Sequence, residues 1–491
     1  MTTSDQPQPL GLVEAIIPVA SLIVLVALSY YLFGDAGASG PNQVALTIAA
    51  MIAAFIAWRR GHSLDVLREA AVASVGTGVG AIFILLAVGA LIGTWALSGT
   101  LVAMVYYGLE LLNPNYFYVT TVLICAVVAA SIGSSWTVVG TIGIGMMGIA
   151  ANMDLDPAIT AAAIISGAYF GDTTSPLSDS ANLAAAAGGV NLYEHVRETA
   201  LTSALALAIA LVVFWMLGRP GDFEAGDKAA AIQSAFHPTL LLFLPLVVVV
   251  GLAVLRFPPF TAIFVGALAA GVLVAFTAPE RVIAFADSGD GIPRWLLLLK
   301  GVWLALASGY VSTTGHPAID QLVSRGGMAS MLNTIWLIIT ALAYGGVVEK
   351  AGVLDRLITP IIEAAKSAGT LVASLVAAVL GTNIVTADQY IAIVLPGRMF
   401  KSAFAKRGFA PVVLSRAVGA SATPTSALIP WNSCGAYMAA TLGVATFSYL
   451  PYAVFNFASP LLAIAAAYLG VRMLRGPAAP ARVDEQRSGA S

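Results

Sequence analysis

The stretch YFGDTTSPLSDSAN, residues 169–182, sets Asp172 and Asp179 among five Ser/Thr hydroxyls, a glycine, a proline and Asn182. Mostly apolar residues lead into it and an alanine-rich run follows. Carboxylate, hydroxyl, carboxamide and freed backbone carbonyl oxygens are what a small hard cation needs to replace its water shell. A carboxylate taken out of water favours holding a proton, whereas a bound cation favours the ionised form. One such acid can hold a proton or Na+, but not both strongly. That competition is the minimal chemistry of cation/proton exchange. Thr174 and Ser175 are candidate ligands beside the two acids.

Three other polar interruptions share this character. Ser134, Ser135 and Thr137 separate the apolar run 118–132 from the glycine-rich 138–150. GTNIVTADQY, residues 381–390, interrupts 371–380 and 391–395 and supplies Asn383, Thr386 and Asp388. SATPTSALIPWN, residues 421–432, supplies Thr423, Thr425 and Asn432, with Pro424 and Pro430 as helix breakers. Charge in hydrocarbon is costly and usually functional, so Asp172, Asp179 and Asp388 are the candidate Na+ ligands. The alternative for each aspartate is an interfacial turn or helix cap. Asn182 and Asn432 also suit caps. Gly140, Gly143, Gly145 and Gly148 fit close helix packing, because no Lys-Ser/Thr follows to complete a phosphate loop. His195, beside Glu194 and Arg197, is expected at the cytoplasmic edge.

These interruptions need a hydrophobic frame. Of 491 residues, 59% are hydrophobic and 10% charged, with a mean hydropathy of +0.90. A soluble domain carries about 25% charged residues, so the chain is an all-helical, polytopic membrane protein. Apolar runs of spanning length occur at 13–33, 43–58, 78–97, 197–217, 239–255, 260–276, 331–348 and 449–470. The net charge of −2 gives no sign of a nucleic-acid partner. Cys125 and Cys434 lie far apart in apolar surroundings and read as buried structural thiols. No resident cofactor is implied.

An internal repeat appears at an offset of roughly 250 residues. GHSLD at 61–65 recurs as GHPAID at 315–320, GTWALSGTL at 93–101 loosely as GVVEKAGVL at 346–354, and TSPLSDSAN as TPTSALIPWN. After the first hairpin comes the acidic ANMDLDP, whereas its counterpart GRMFKSAFAKRG is basic. Basic loops stay cytoplasmic, so equivalent loops fall on opposite sides, the mark of an inverted-topology repeat. The expected organisation is a tail at 1–12, a first repeat at 13–217, a polar linker at 218–236, a second repeat at 237–471 with an insertion about 277–314, and a polar cytoplasmic tail at 472–491. Non-helical backbone survives at membrane depth only inside protein or along a wet cavity. Each repeat is therefore expected to hold one re-entrant helical hairpin and one discontinuous helix. The breaks should run from 171 to 181 and from 421 to 432.

YFGDTTSPLSDSANLAAAAGGVNLYEHV resembles the signature of the NhaC-type Na+/H+ antiporters, and GSSWTVVGTIG and TADQYIAIVLPGRMF resemble further motifs of that family. The likeness covers about residues 9–470. It implies the fold of the wider ion-transporter superfamily, a commonly dimeric assembly and a bacterial inner membrane. It also makes Asp172, Thr174, Ser175, Ser178, Asp179 and Asn182 candidates for binding Na+. Related members resemble carriers of lactate, malate or amino acids.

Two readings follow. The first is Na+/H+ exchange by alternating access; the second is Na+- or H+-coupled carriage of a small carboxylate or amino acid through the same ion site. For the second, Arg416 is a candidate carboxylate holder. An intramembrane aspartyl protease fits poorly, since Asp172 follows YFG and neither Asp179 nor Asp388 sits in a Tyr-Asp pair. The protein is expected not to be an enzyme.

Overall fold

The computed structural model describes residues 7–218, 232–233, 238–286, 291–312, 320 and 323–476. Most of the expected 218–236 linker, of GHPAID and of the C-terminal tail therefore lies outside the described residues. Those described are helical apart from turns and two isolated bridges, Tyr310 with Arg325 and Phe409 with Arg475.

The first half runs through α1 (Leu12–Phe33), α2 (Pro41–Arg59), α3 (Leu64–Thr77), α4 (Val79–Ser98), α5 (Thr100–Leu111), α6 (Phe117–Ile132), α7 (Ser135–Val138), α8 (Ile144–Asn152), α9 (Pro157–Thr174), α10 (Asp179–Gly188) and α11 (Leu192–Leu217). A π-helical turn, Val139–Gly143, joins α7 to α8. Then come α12 (Leu244–Val254), α13 (Pro259–Thr277), α14 (Pro279–Ala286) and α15 (Arg294–Ser308). The second half continues with α16 (Leu332–Lys350), α17 (Val353–Ala364), α18 (Ala368–Thr386), α19 (Gln389–Lys406), α20 (Pro411–Ser426), α21 (Ser433–Leu442), α22 (Thr446–Tyr449) and α23 (Val454–Tyr468).

Eight helices among the described residues are long and apolar enough to cross a membrane, or nine if the bent pair Thr446–Tyr452 and Val454–Tyr468 is one span. Large apolar side chains such as Val13, Met51, Trp215 and Phe276 face outward, as lipid contact requires. Two expectations change. The run at 239–255 forms only a short helix, Leu240–Val254. Conversely, the apolar runs 118–132 and 371–380 that precede two of the polar interruptions extend into helices of 19 residues each, Pro114–Ile132 and Ala368–Thr386, of spanning length. The polar GTNIVT does not unwind α18, because Thr382 and Thr386 donate to the carbonyls of Ala378 and Thr382 one turn back.

The breaks are narrower than expected for a similar reason. α9 runs on through Gly171 to Thr174, with the Thr173 and Thr174 hydroxyls donating to Tyr169 and Phe170. Gly171 is a packing glycine: a Cβ there would sit 2.3 Å from Ala129 Cβ and 2.4 Å from Ala130 N. The first break is thus Ser175 to Ser178, around Pro176. In the second half Pro424 lies inside α20, and only Pro430 falls in the break. Proline cannot donate to the carbonyl four residues back, and that carbonyl, of Ala420, accepts instead from Ser459 Oγ at 2.8 Å.

Both halves repeat one order of joints. A left-handed glycine links α4 to α5 (Gly99, φ 84°) and α16 to α17 (Gly352, φ 77°). Gly133 (φ 81°) and Ala387 (φ 57°) form the tips after α6 and α18, followed by the N-caps Ser134 and Asp388. Gly189 (φ 79°) and Gly443 (φ 70°) end α10 and α21. Gly140 and Gly145 serve close packing as expected: a Cβ would sit 2.6 Å from Tyr437 Oη at the first and 2.1 Å from Met104 Cε at the second.

Candidate functional site

Asp172 points from the last turn of α9 into the junction between the first tip and the first break, and it is 7% exposed. Its Oδ2 accepts from Ser135 Oγ at 2.6 Å and Ser135 N at 3.4 Å. Its Oδ1 accepts from Ser178 Oγ at 2.5 Å and Ser180 Oγ at 3.0 Å. Three segments therefore meet on one carboxylate: the end of α9, the start of α10 and the turn that opens α7. The local sequence arranges this. Ser178 caps α10, its Oγ accepting from Ala181 N, and Ser180 follows two residues later at 2.9 Å from Ser178. Ser134 caps α7, its Oγ accepting from Thr137 N and Thr137 Oγ1, which leaves Ser135 turned to Asp172.

Asp172, Asp179 and Asp388 line a single cavity of about 700 Å³, with Ser134, Thr137, Ser180 and Asn182. Gln389, Tyr390, Ser433 and Cys434 close it from the second half. Asp388 caps α19, its Oδ1 accepting from Ile391 N at 2.8 Å. Among the described residues no three His, Cys, Asp or Glu side chains converge closely enough to hold one metal ion. The three aspartates share a wall rather than one ligand cluster, so hydroxyls and carbonyls must complete any cation shell.

The remaining candidates stand elsewhere. Thr174 is committed to the Phe170 carbonyl, and Ser175 Oγ donates to Ala130 O at 2.8 Å, pinning the break to α6. Asn383 donates to Ala422 O and Thr425 Oγ1, and Asn432 donates to Asn383 and caps α21. These three, with Thr386 and Thr423, are buried off the cavity. Asn383, Thr425 and Asn432 tie the second tip to the second break.

Arg416 does not face the cavity. It is 3% exposed and sits 3.8 Å from Glu198 Oε2, while Arg472 bonds Glu198 Oε1 at 3.2 Å. Nor is His195 at an open edge: it is fully buried, its Nδ1 2.6 Å from Ser415 Oγ, which donates to Ala184 O. Helices α10, α11 and α20 are joined there. Both cysteines are free and buried as expected, although Cys434 also donates to Gln389 Oε1 and borders the cavity.

Sequence reasoning missed Ser180, Gln389 and Arg256 as cavity residues. Ser180 stood in the quoted motif, one turn-and-break from Asp172. Gln389 follows Asp388 directly. Arg256 lies in a corner with no motif around it.

The two halves meet at the first tip. Trp136 stacks on Tyr437 with ring centroids 4.0 Å apart, and Tyr437 Oη donates to Trp136 O at 2.7 Å. In the second half Ser433 N donates to the tip carbonyl of Ala387 at 2.9 Å.

With this geometry in place, comparison with known proteins is decisive for the family. The Na+/H+ antiporter family profile matches residues 12–214 and 167–471. The chain belongs to the NhaC-type Na+/H+ antiporter family. It is 37% identical over 439 residues to the Na+/H+ antiporter NhaC of Alkalihalophilus pseudofirmus, covering 88% of this chain and 90% of that one. The malate-2H+/Na+-lactate antiporter of Bacillus subtilis is 32% identical, over 93% of this chain and 94% of its own. The arginine/ornithine antiporter ArcD of Halobacterium salinarum is 34% identical, over 94% and 92%. The protein is thus a multi-pass antiporter of this family, not an enzyme, and names within the family span inorganic and organic cargo.

Proposed function

We propose that this antiporter exchanges Na+ for H+ across a bacterial inner membrane, with Asp172 as the shared site and alternating access between two inverted repeats. The observation that supports this best is the set of donors around Asp172. An ionised carboxylate only accepts, and here it accepts from three serine hydroxyls and one backbone N–H. Serine hydroxyls rotate. When Na+ replaces their hydrogens at the carboxylate, the same serines turn lone pairs toward the cation. When a proton binds instead, one serine oxygen accepts from the new O–H. Each state is satisfied by the same atoms, and neither admits the other. Asp179 and Asp388 on the cavity wall raise the local concentration of cations.

The site joins two half-helices and a tip, so a shift of any one of them changes its ligand set. That property suits a site opened to one side at a time. Proteoliposomes with an internal pH dye, pulsed with Na+, Li+ and K+ and no organic solute, test the reading. Cation-dependent proton movement is expected, and its absence from folded wild-type protein would remove Na+/H+ exchange.

A second reading, coupled carriage of a small carboxylate or amino acid, is favoured by cavity size. About 700 Å³ lies in the range of organic-ligand pockets and exceeds what one cation needs. Relatives named as lactate, malate and arginine carriers share the family.

A further inference from the structure

The cavity that holds Asp172 also carries a cation that Na+/H+ exchange does not use. Arg256 stands in the corner between α12 and α13 with φ 65°, followed two residues on by Pro258 and Pro259. Left-handed backbone is uncommon for a residue with a Cβ, and two prolines restrict the chain that follows. Arg256 stands at this corner among the residues that line the cavity, and it is exposed. It is the one Lys or Arg among the lining residues. Among the described residues it has neither an ion pair nor a side-chain hydrogen bond.

Asp179 has the complementary property. It is the first residue of α10, it is exposed, and it lines the same cavity. Unlike Asp172, it has no side-chain hydrogen bond or ion pair among the described residues. Two unpartnered groups of opposite sign thus face one cavity of about 700 Å³. The charge balance selects the occupant. Three carboxylates against one guanidinium disfavour a simple anion, and a lone Na+ leaves the guanidinium without a role. A molecule with both charges answers both groups, its carboxylate matching the guanidinium fork. Ile84 and Phe257 supply apolar wall for a side chain.

We propose that the cavity takes a small zwitterionic amino acid as organic cargo, its carboxylate on Arg256 and its ammonium on Asp179. This rests on Asp172 being the ion site of the same cavity.

L-Alanine and L-lactate share a carbon skeleton and differ in ammonium against hydroxyl, which makes them the discriminating probes. Saturable binding of radiolabelled L-alanine, L-arginine, L-glutamate and L-lactate is measured on the purified full chain in detergent. At least one amino acid is expected to bind, with affinity falling tenfold or more in Arg256→Gln and in Asp179→Asn, and L-lactate is expected to bind more weakly than L-alanine. The proposal is overturned if none of the three amino acids binds to protein that keeps a cooperative thermal transition. It is also overturned if Arg256→Gln binds as the wild type does, which makes the arginine an interfacial anchor. L-Lactate binding as well as L-alanine, regardless of Asp179→Asn, would make the cargo a carboxylate instead. Failure of the ion site shows separately, as wild-type vesicles without Na+-dependent proton movement whatever the binding result.

Discussion

Replacing Asp172 by asparagine removes the charge while keeping the shape, and the surroundings allow the fold to survive it. The retained carbonyl oxygen can accept from Ser135, and the new NH2 can face Ser178 and Ser180, whose hydroxyls rotate to accept it. Bonds to a charged group contribute about 1.5–3 kcal/mol and neutral ones about 0.5–1.5 kcal/mol. That loss is offset by no longer holding a charge away from water, a penalty of several kcal/mol. The thermal transition in detergent is therefore expected to stay within a few degrees of the wild type. Function should not survive. A carboxylate attracts a monovalent cation about 4 Å away by about 4 kcal/mol at an effective dielectric of about 20. This is worth about a thousandfold in affinity, and the group that trades the proton is gone as well. In vesicles with an internal pH dye, Na+-dependent proton movement should fall below about a hundredth of wild type. A folded Asp172→Asn protein retaining more than a tenth of the exchange would refute Asp172 as the shared site. Loss of the folded state would show that the carboxylate is first a structural tie.

Ser178→Ala and Ser180→Ala each remove one of the two hydroxyls on Asp172 Oδ1, and each should raise the apparent Na+ KM about fivefold. The double variant should fall short of the product, because both serve one oxygen; Na+ titrations of dye-loaded vesicles decide this. Proton and Na+ competition at one acid makes the apparent Na+ KM rise about tenfold per unit fall in pH on the acid side, with the saturated rate unchanged. A falling saturated rate at constant KM would contradict it. Gly171→Ala drives a Cβ to 2.3 Å from Ala129 and should destabilise by about 1–3 kcal/mol. Gly381→Ala meets nothing within 4 Å and should leave the thermal transition unchanged or higher. Ser459→Ala leaves the Ala420 carbonyl without its donor and should cost about 1 kcal/mol of stability.

The membrane class, the order of elements and the two breaks were legible because they follow from hydropathy and from clustered helix breakers. Break width was not. Thr173, Thr174, Thr382 and Thr386 read as interruptions, yet their hydroxyls bond the preceding turn and leave the helices whole. Gly171 and Pro424 read as breakers, yet one serves a close crossing and the other is relieved by Ser459 from another helix. Such rescue depends on tertiary neighbours that no local pattern contains. The same holds for the site. Asp172 stood out in the sequence because acids in apolar stretches are costly, whereas Arg416, a candidate carboxylate holder, lies beside Glu198 of another helix, 218 positions earlier in the numbering. Arg256 reaches the cavity through a corner whose left-handed backbone has no sequence signature.

The π turn at Val139–Gly143 stands directly behind the tip that offers Ser135 to Asp172. Such a turn stores one residue more than an α turn, and each residue advances a helix by about 100°. Deleting a single residue between Val139 and Gly143 would restore a regular helix while swinging everything before it about 100° around the axis. Ser135 would leave the carboxylate, and Trp136 would leave Tyr437. The number of residues in this segment is therefore as much a part of the proposed ion site as the identity of any one of them. A length change here should abolish exchange even where every polar side chain is kept.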